Sequence, residues 1–326
     1  WGLLNMGNMA AARSGLGLEL AANAGWAADE GQAVLIQGLD ARLKARGASG
    51  AWGAALGGRS RHDETATASQ AEADTLGLAA GYDRALGQDA RLGAALAWTT
   101  TDLDEPGLAN SAKVESFTLA GYGATTLGVL FAEGSAGVHR RDYSFTRGSL
   151  AGAAGTVLEA QGLSATAETD GYGLFADGRI GLRLPAGQAA IRPFLHARVS
   201  HQTLDGFNER GGDVFNLAVE DVELTRYQAG PGVELLLAAR PVGSASVSGD
   251  LSVRYDASWG DSDYVIDAAM LGAQVNGRLG ELDDPVTLAG GLAADWGMLE
   301  ATLRGFYAQA DDQDAHGASL GLRVAF

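Results

Sequence analysis

The last eight residues of the chain place the strongest constraint on its fold. In residues 319–326 every second side chain is apolar, and the residues between them are small or polar. The apolar set is Leu320, Leu322, Val324 and Phe326. Because successive side chains of a β-strand point to opposite faces, this pattern predicts a strand with one apolar face that ends on an aromatic residue. A final strand of this kind is typical of β-barrels that cross an outer membrane, where the apolar face contacts lipid.

The composition excludes a helical membrane protein and agrees with a membrane barrel. Hydrophobic residues make up 46% of the 326 residues, yet no apolar run reaches the roughly 18 residues that a membrane-spanning helix requires. Lipid-facing and lumen-facing residues alternate in a barrel, so a mean hydropathy close to zero is expected. The net charge of −17 argues against nucleic acid as a partner. The chain has no cysteine and no metal-ligand spacing, and we expect neither a metal nor a cofactor.

Strand-like segments recur from residue 50 to the end of the chain. About twelve can be counted, an even number, as single-chain bacterial barrels have. We therefore predict an all-β fold, a transmembrane antiparallel β-barrel of about twelve strands over residues 50–326. The segments are 50–61, 73–85, 90–101, 112–125, 127–143, 168–184, 189–204, 222–239, 245–259, 286–296, 299–310 and 317–326.

Alternation along the segments predicts which charged residues face the lumen. In residues 190–200 and 246–259, apolar side chains occupy one parity and polar side chains the other. An arginine on the lipid face at mid-depth would cost about 2–4 kcal/mol, so the polar parity is expected to point inward. The lumen-facing candidates on this argument are Arg192, Arg198, Arg254, Glu300, Arg304 and Arg323.

The gaps between segments predict the orientation of the barrel. Tight connections near residues 86–89, 125–127, 185–188, 240–244 and 297–298 alternate with longer gaps that hold much of the acidic sequence. Short turns belong on the periplasmic rim and long loops outside, so both ends of the barrel are expected in the periplasm. Pro231, which cannot donate a backbone hydrogen bond, predicts a bulge or a local kink in its strand.

Residues 29–47 have the pattern of a helix. Asp29 stands at its start, Gly47 at its end, and the basic residues lie in its last turns, an order that suits the helix dipole and a glycine stop. A helix of about 18 residues spans about 27 Å, close to the thickness of the bilayer core. We predict that it crosses the lumen; the alternative is an amphipathic helix that packs on a soluble partner domain. The residues proposed for this helix are Val34, Leu35, Leu39, Arg42, Leu43 and Arg46.

The segment before the helix, residues 1–28, is expected to be a passenger remnant or a linker. It opens without a basic start, a sustained apolar stretch or a cleavage site, so it does not resemble a signal peptide. We therefore expect the chain to be a processed or excised fragment.

The order of helix, first strand and about eleven further strands resembles the autotransporter β-domain of type V secretion. The motifs that carry the resemblance lie at residues 50–53, 81–87, 91–96, 205–212 and in the closing strand, and the likeness covers roughly residues 30–326. It implies a twelve-stranded barrel with a helix through its pore, located in the outer membrane of a Gram-negative bacterium. The implied role is to export or anchor an N-terminal passenger. The implied partners are that passenger, outer-membrane lipid and lipopolysaccharide, and the barrel assembly machinery, with the barrel itself a monomer.

The resemblance also implies two sites. Ser319, Gly321, Val324 and Phe326 match the terminal pattern that the assembly machinery recognises, and they would also complete the barrel wall. Some members of the family cut themselves at an asparagine within the helix segment, where the side-chain amide attacks its own backbone carbonyl. Asn23 and Ala24 form the candidate cleavage pair in this chain.

Two other functions remain open at this point. A diffusion porin would have more strands and no helix in its lumen. A barrel hydrolase could be built on His139 and His201, which are expected near Asp142 and Asp205 at the outer rim. No Gly-x-Ser-x-Gly sequence accompanies these histidines, so we assign no catalytic residue and expect the protein not to be an enzyme.

Overall fold

The protein is described by a computed structural model that covers most of the chain. The described residues are 17, 19–44, 49–65, 68–87, 89–148, 164–213, 216–261, 264–270, 272–279 and 284–325. Residues 1–16, Arg46 and Phe326 lie outside this part, so the predictions that concern them are not assessed by the structure.

One helix, a large antiparallel sheet and a small four-stranded sheet make up the described part of the chain. The helix α1 covers Leu20–Leu43. The strands are β1 Gly50–His62, β2 Ala71–Leu86, β3 Ala90–Glu105, β4 Asn110–Leu127, β5 Leu130–Arg147, β6 Ala165–Leu182, β7 Leu184–Ala186, β8 Ala189–Leu204, β9 Phe207–Asn208, β10 Ala218–Val219, β11 Val222–Val242, β12 Ala245–Tyr255, β13 Ala257–Gly260, β14 Val265–Met270, β15 Ala273–Arg278, β16 Val286–Asp295, β17 Leu299–Gln309 and β18 Gln313–Ala325.

The sheet closes into a barrel because its first strand pairs with its last. β1 pairs with β2 on one side and with β18 on the other, and the second ladder runs from Gly50 opposite Ala325 to His62 opposite Gln313. β7 continues the register of β6, and β13 continues that of β12, so the described strands form a twelve-stranded wall. The prediction of an all-β barrel with twelve strands is confirmed. Closure leaves no open sheet edge in lipid, where unpaired backbone groups would cost several kcal/mol each.

Pro231 does not shift the register of its own strand, but the neighbouring strand is interrupted near the position opposite it. The ladder from β8 to β11 runs through Pro231 without a shift, whereas β12 and β13 are interrupted at Asp256, next to the position opposite the proline. The missing N–H accounts for this break. The register shift in β11 lies instead between Leu237 and Arg240, so the bulge predicted at the proline is found further along the strand.

The connections differ between the two ends of the barrel. The turns after β2, β4, β7, β11 and β16 are short, and each holds a glycine with positive φ, such as Gly128 at 64° and Gly243 at 60°. At the other end long and short connections mix. The gaps predicted to be long after β3 and β17 are tight turns, because the strands on both sides extend further than the alternation suggested.

The outer face of the wall carries an apolar band, which we call the apolar level. On the loop side of this band the outer face is polar. Leu303 and Leu320 form a cross-strand pair near its middle and are 54% and 57% exposed. β16 and β17 have 10 and 11 residues, close to the 9–11 that a tilted strand needs to cross a bilayer. β4, β5 and β6 have 18 residues each and continue beyond this level. One side of the barrel therefore stands taller above the membrane than the other.

The helix is longer at its start than the sequence pattern predicted. It begins at Leu20 rather than at residue 29 and ends at Leu43, so residues 20–28 belong to the helix and not to a linker. Asp29 and Glu30 are not in its first turn: Tyr264 donates a hydrogen bond to Asp29, and Ser60 donates one of 3.1 Å to Glu30. Burial on all sides removes the amphipathic signal from the early part, since a helix surrounded by protein can be apolar all round.

A small second sheet covers the loop end of the barrel. The strands β9, β10, β14 and β15 form this four-stranded sheet, which we call the cap. Phe207, Val219 and Ile266 of the cap lie in one buried cluster with Leu20 and Trp26 of the helix. The cap therefore encloses the first half of the helix in an apolar core.

Candidate functional site

The helix lies inside the barrel and packs mainly against one side of the wall. Its neighbours are β1 to β5 on that side, together with β17 and β18. Glycines let it approach closely: a Cβ built on Gly31 would lie 2.6 Å from Oγ1 of Thr101, and one on Gly38 would lie 2.5 Å from Cδ2 of Leu56. At 1.5 Å per residue, its 24 residues span about 36 Å, enough to cross a bilayer core of about 30 Å.

The last turn of the helix and the residue that follows it carry three charged side chains, Asp40, Arg42 and Lys44, which form ion pairs with the wall. Arg42 contacts Asp83 and Glu300, each at 2.8 Å, and the three side chains are buried. Asp40 pairs with Arg179 of β6 and, at 2.6 Å, with Arg304 of β17. Lys44 pairs with Glu234 of β11 and, at 2.9 Å, with Asp250 of β12. The helix end is thus tied to both sides of the lumen.

Further pairs within the wall extend this set into one network. Arg192 bridges Glu133 at 2.9 Å and Glu234 at 2.7 Å. Arg304 pairs with Asp250 at 2.7 Å, and Arg323 pairs with Glu300 at 3.1 Å. Buried charges in low dielectric persist only when they are paired and hydrogen bonded, so each carboxylate here depends on its arginine neighbours.

The outer half of the helix is held by side-chain hydrogen bonds and aromatic contacts. Nδ2 of Asn23 donates to Oε1 of Glu105 at 2.6 Å, and Nε2 of His62 lies 3.1 Å from Oδ1 of the same asparagine. The phenol of Tyr264, in the connection before β14, donates to Asp29. Burial raises the pKa of Tyr264 well above its ordinary value, which keeps the phenol a neutral donor.

The lumen-facing candidates predicted from parity all lie on the inner side of the wall. Arg192, Glu300, Arg304 and Arg323 are buried in the charge network, and Arg254 donates to Asp256 at 2.6 Å. Arg198 lines a cavity beside the helix. Of the proposed helix residues, Val34, Leu35, Leu39, Arg42 and Leu43 are buried in the lumen.

The sequence interpretation missed residues that hold the helix end. Asp40 was not singled out within the predicted helix, Lys44 was noted only as one of the basic residues near its end, and neither was paired with Arg179, Glu234 or Asp250. All three partners share the inward parity of their strands. A search for every charged residue of the inward parity would have found them.

The structure does not bring the hydrolase candidates together. His139 is buried on the inner side of β5, whereas Asp142 of the same strand is exposed on the outer side. His201 contacts Thr225 at 2.9 Å on the outer side of β8, and Asp205 lies in the following loop. Within the described ranges, no three His, Asp or Glu side chains are placed to hold a metal ion.

The proposed assembly residues lie on the closing strand. Ser319 and Gly321 point toward the lumen, and Val324 is exposed on the outer face. A Cβ on Gly321 would lie 2.6 Å from Oγ1 of Thr302, so this glycine also has a packing role.

Among the described residues, no helix is both long enough and apolar enough to cross a bilayer.

Comparison with solved structures identifies the fold. The translocator domain of the autotransporter NalP from Neisseria meningitidis matches with a TM-score of 0.73 and 15% identity, over 93% of this chain and 98% of that one. The β-domain of the Bordetella autotransporter BrkA matches with 0.62 and 18%, over 86% and 100%. The transport unit of AIDA-I from Escherichia coli matches with 0.54 and 14%, over 85% and 90%.

Comparison at the level of sequence families gives the same result. A comparison with curated proteins found no match. A family model described as "Autotransporter beta-domain" matches residues 51–308, which is more than half of the chain. The chain is a barrel of the Gram-negative outer membrane with a translocator role, and it belongs to the autotransporter β-domain family.

Proposed function

We propose that this barrel exports an N-terminal passenger to the cell surface, and that α1 then closes the pore. The observation that carries the proposal is the direction of the helix. Its first residues lie near Glu105 and the cap at the loop end, and its last residues lie near Asp83 and Glu300 at the turn end. A polypeptide joined to the start of the helix therefore leaves the barrel on the loop side, which is the cell exterior.

An epitope fused to the N-terminus of the full chain tests the export proposal. On intact cells, external protease is expected to remove this epitope, and the matched control is the same epitope inserted in the turn at residues 243–244. The control epitope should survive until the cells are made permeable. If both epitopes resist external protease, the passenger is not exported.

The plug has its own test, which is the conductance of the barrel in planar bilayers. The helix occupies the lumen and an ion-pair network joins its end to the wall, so the full chain is expected to conduct little. Removing residues 1–46 should give a clear rise in conductance, provided that the shortened barrel keeps its heat-modifiable migration. Equal conductance with and without the helix would favour a diffusion porin.

Self-cleavage between Asn23 and Ala24 is a second candidate, favoured by the contacts of the asparagine. Nδ2 would attack the carbonyl carbon of Asn23, the bond to Ala24 would break, and a proton would pass through Glu105 to the leaving amine. The products are an upstream fragment ending in a succinimide and a barrel beginning at Ala24. The hydrogen bond of 2.6 Å from Nδ2 to Glu105 supports this assignment because it places a proton acceptor at the nucleophile.

Mass spectrometry of the barrel isolated with its passenger tests the cleavage. We expect a free Ala24 amino terminus in the native protein and its loss in Asn23→Ala and Glu105→Gln. Asn8→Ala is the control and should be processed normally. Unchanged processing of Asn23→Ala would remove this candidate.

Assembly is expected to use the closing strand before β1 pairs with it. Ser319, Gly321, Val324 and Phe326 would then be recognised by the assembly machinery through an edge that is paired in the finished barrel. Phe326→Ala should reduce insertion in cells while refolding in detergent stays normal, and a refolding defect would assign the residue to the wall alone.

The closed wall also bears on the oligomeric state of the barrel and on the lipids expected around it. In the part of the chain that the structure describes, every wall strand pairs on both sides and leaves no edge for a second copy, which supports a monomer. Outer-membrane lipid would surround the apolar level, and lipopolysaccharide would contact the polar level above it. Neither a cofactor nor nucleic acid is part of the proposal.

A further inference from the structure

The helix leaves space on the side of the lumen that it does not pack against. A cavity of about 80 Å³ lies near the loop end, and one of about 540 Å³ lies near the turn end. One water molecule needs roughly 10–15 Å³, so each cavity can hold several. The outer cavity reaches Gln313 and Asp314 at the loop end, and the inner cavity reaches Gly87 and Asp295 at the turns. Each cavity therefore opens toward one end of the barrel.

The two cavities lie one above the other and share no lining residue. On β8, Arg198 lines the outer cavity and Arg192 the inner one, and Phe194 and His196 lie between them on the inward face. β12 and β16 have the same order, with buried Ser252 and Ala289 between the two cavities. A layer of one or two inward side chains on each of these strands therefore separates the two cavities.

Asp40 is the helix residue at the level of this layer. Gln37 lines the outer cavity and Ala41 the inner one, and Asp40 lies between them along the helix. Its carboxylate pairs with Arg179 of β6 and with Arg304 of β17, so it crosses the open side of the lumen from the helix to the wall.

We propose that Asp40 closes an ion path that runs beside the seated helix, and that this path passes anions in preference to cations when the carboxylate is removed. The wall would remain in place, because Arg179 keeps Glu133 and Arg304 keeps Asp250 as partners. Both guanidinium groups stay charged and would line the opened layer. Replacing Asp40 removes one negative charge from beside these two guanidinium groups, and arginine at a constriction favours anions. This inference does not depend on the passenger or its export.

The same full-length chain in planar bilayers tests the proposal, with conductance and reversal potential as readouts. Breaking a buried ion pair strongly destabilises the contact, so Asp40→Ala should raise the time-averaged conductance at least about tenfold over the native chain. In a chloride gradient the reversal potential should shift toward that of chloride. Asp40→Asn keeps a hydrogen-bonding group and should give a smaller rise.

The matched control is Glu30→Gln, which removes another carboxylate of the same helix. Glu30 lines the outer cavity and accepts a hydrogen bond of 3.1 Å from Ser60, but it is not at the level of the layer. This variant should conduct as little as the native chain. Conductance that rises as much in Glu30→Gln as in Asp40→Ala would overturn the assignment.

A second measurement separates an opened layer from a lost helix. The side chains of Arg42 and Lys44 are buried at the seated helix end, so trypsin is expected to cut after them only when the helix has left the lumen. Both sites should therefore stay protected in Asp40→Ala. Cleavage there together with a large current would mean that the helix was expelled, which contradicts the proposal. An Asp40→Ala variant that migrates normally in the heat-modifiability assay but conducts no more than the native chain would contradict it as well. If Asp40→Ala fails to fold, Asp40→Asn decides by the same two readouts.

Discussion

Arginine supplies nearly all of the positive charge inside this barrel. The chain has only two lysines, Lys44 on the helix and Lys113 on the outer face of β4. The planar guanidinium group binds two carboxylates at once, as Arg192 does with Glu133 and Glu234. This geometry lets one arginine hold two buried carboxylates in a chain whose net charge is −17.

Buried and exposed arginines are predicted to differ sharply when they are truncated. Arg42→Ala leaves Asp83 and Glu300 each without one buried partner, and breaking such a pair costs about 3–5 kcal/mol. Arg59→Ala removes surface pairs with Glu72 and Asp74, worth about 0–1 kcal/mol. Urea unfolding of the detergent-solubilised barrel measures both. Equal losses in the two variants would mean that the network does not hold the helix end.

Alternation along each strand predicted which side chains face the lumen. It could not predict which side chains make contact across the lumen. The inward side of Arg192 or Glu300 follows from alternation along one strand. The pairing of Asp40 with Arg179 joins residues 139 positions apart, and it depends on how far the helix enters the barrel. That depth is set by the glycine contacts and by the cap, and neither has a local sequence signal.

At the scale of elements, strands were easier to predict than the helix. Alternation fixes a strand because one face meets lipid and the other meets water. The helix meets protein on almost every side, so its apolar first half, from Leu20 to Ala28, has no polar face to mark it. The charges of Asp29 and Glu30 have partners in the connection before β14 and on the wall, and Asp29 was mistaken for the start of the helix.

The closing strand allows a prediction about depth in the membrane. Leu320 is paired with Leu303 at the middle of the apolar level, whereas Val324 is paired with Leu299 near the turns. Arginine on the lipid face costs about 2–4 kcal/mol at the midplane and about 0–1 kcal/mol near the interface. Unfolding of Leu320→Arg and Val324→Arg in lipid vesicles should reproduce this difference, and a larger loss for Val324→Arg would place the membrane at another level.

At the scale of the whole molecule, the strands extend further at one end of the barrel than at the other. The protein therefore presents different surfaces on the two sides of the membrane. β5 and β6 extend past the apolar level and carry Arg140, Asp142 and Asp170 on their outer faces, where Arg140 pairs with both acids. At the opposite end every turn is short. The protein therefore presents a tall, charged surface on one side of the membrane and a low rim on the other.

This asymmetry predicts the outcome of cysteine labelling on intact cells. Because this chain has no cysteine, only the introduced cysteine of each variant can react within it. Asp142→Cys stands on the outer face of the tall wall, where Asp142 is 60% exposed, and it should react with a membrane-impermeant maleimide. Met298→Cys lies in a turn, where Met298 is 72% exposed, and it should react only after the cells are made permeable. Val138→Cys, on the same face as Asp142 but at the lipid level, is the depth control and should stay unlabelled in both conditions. Labelling of Met298→Cys on intact cells would reverse the orientation, and with it the direction in which the helix delivers a passenger.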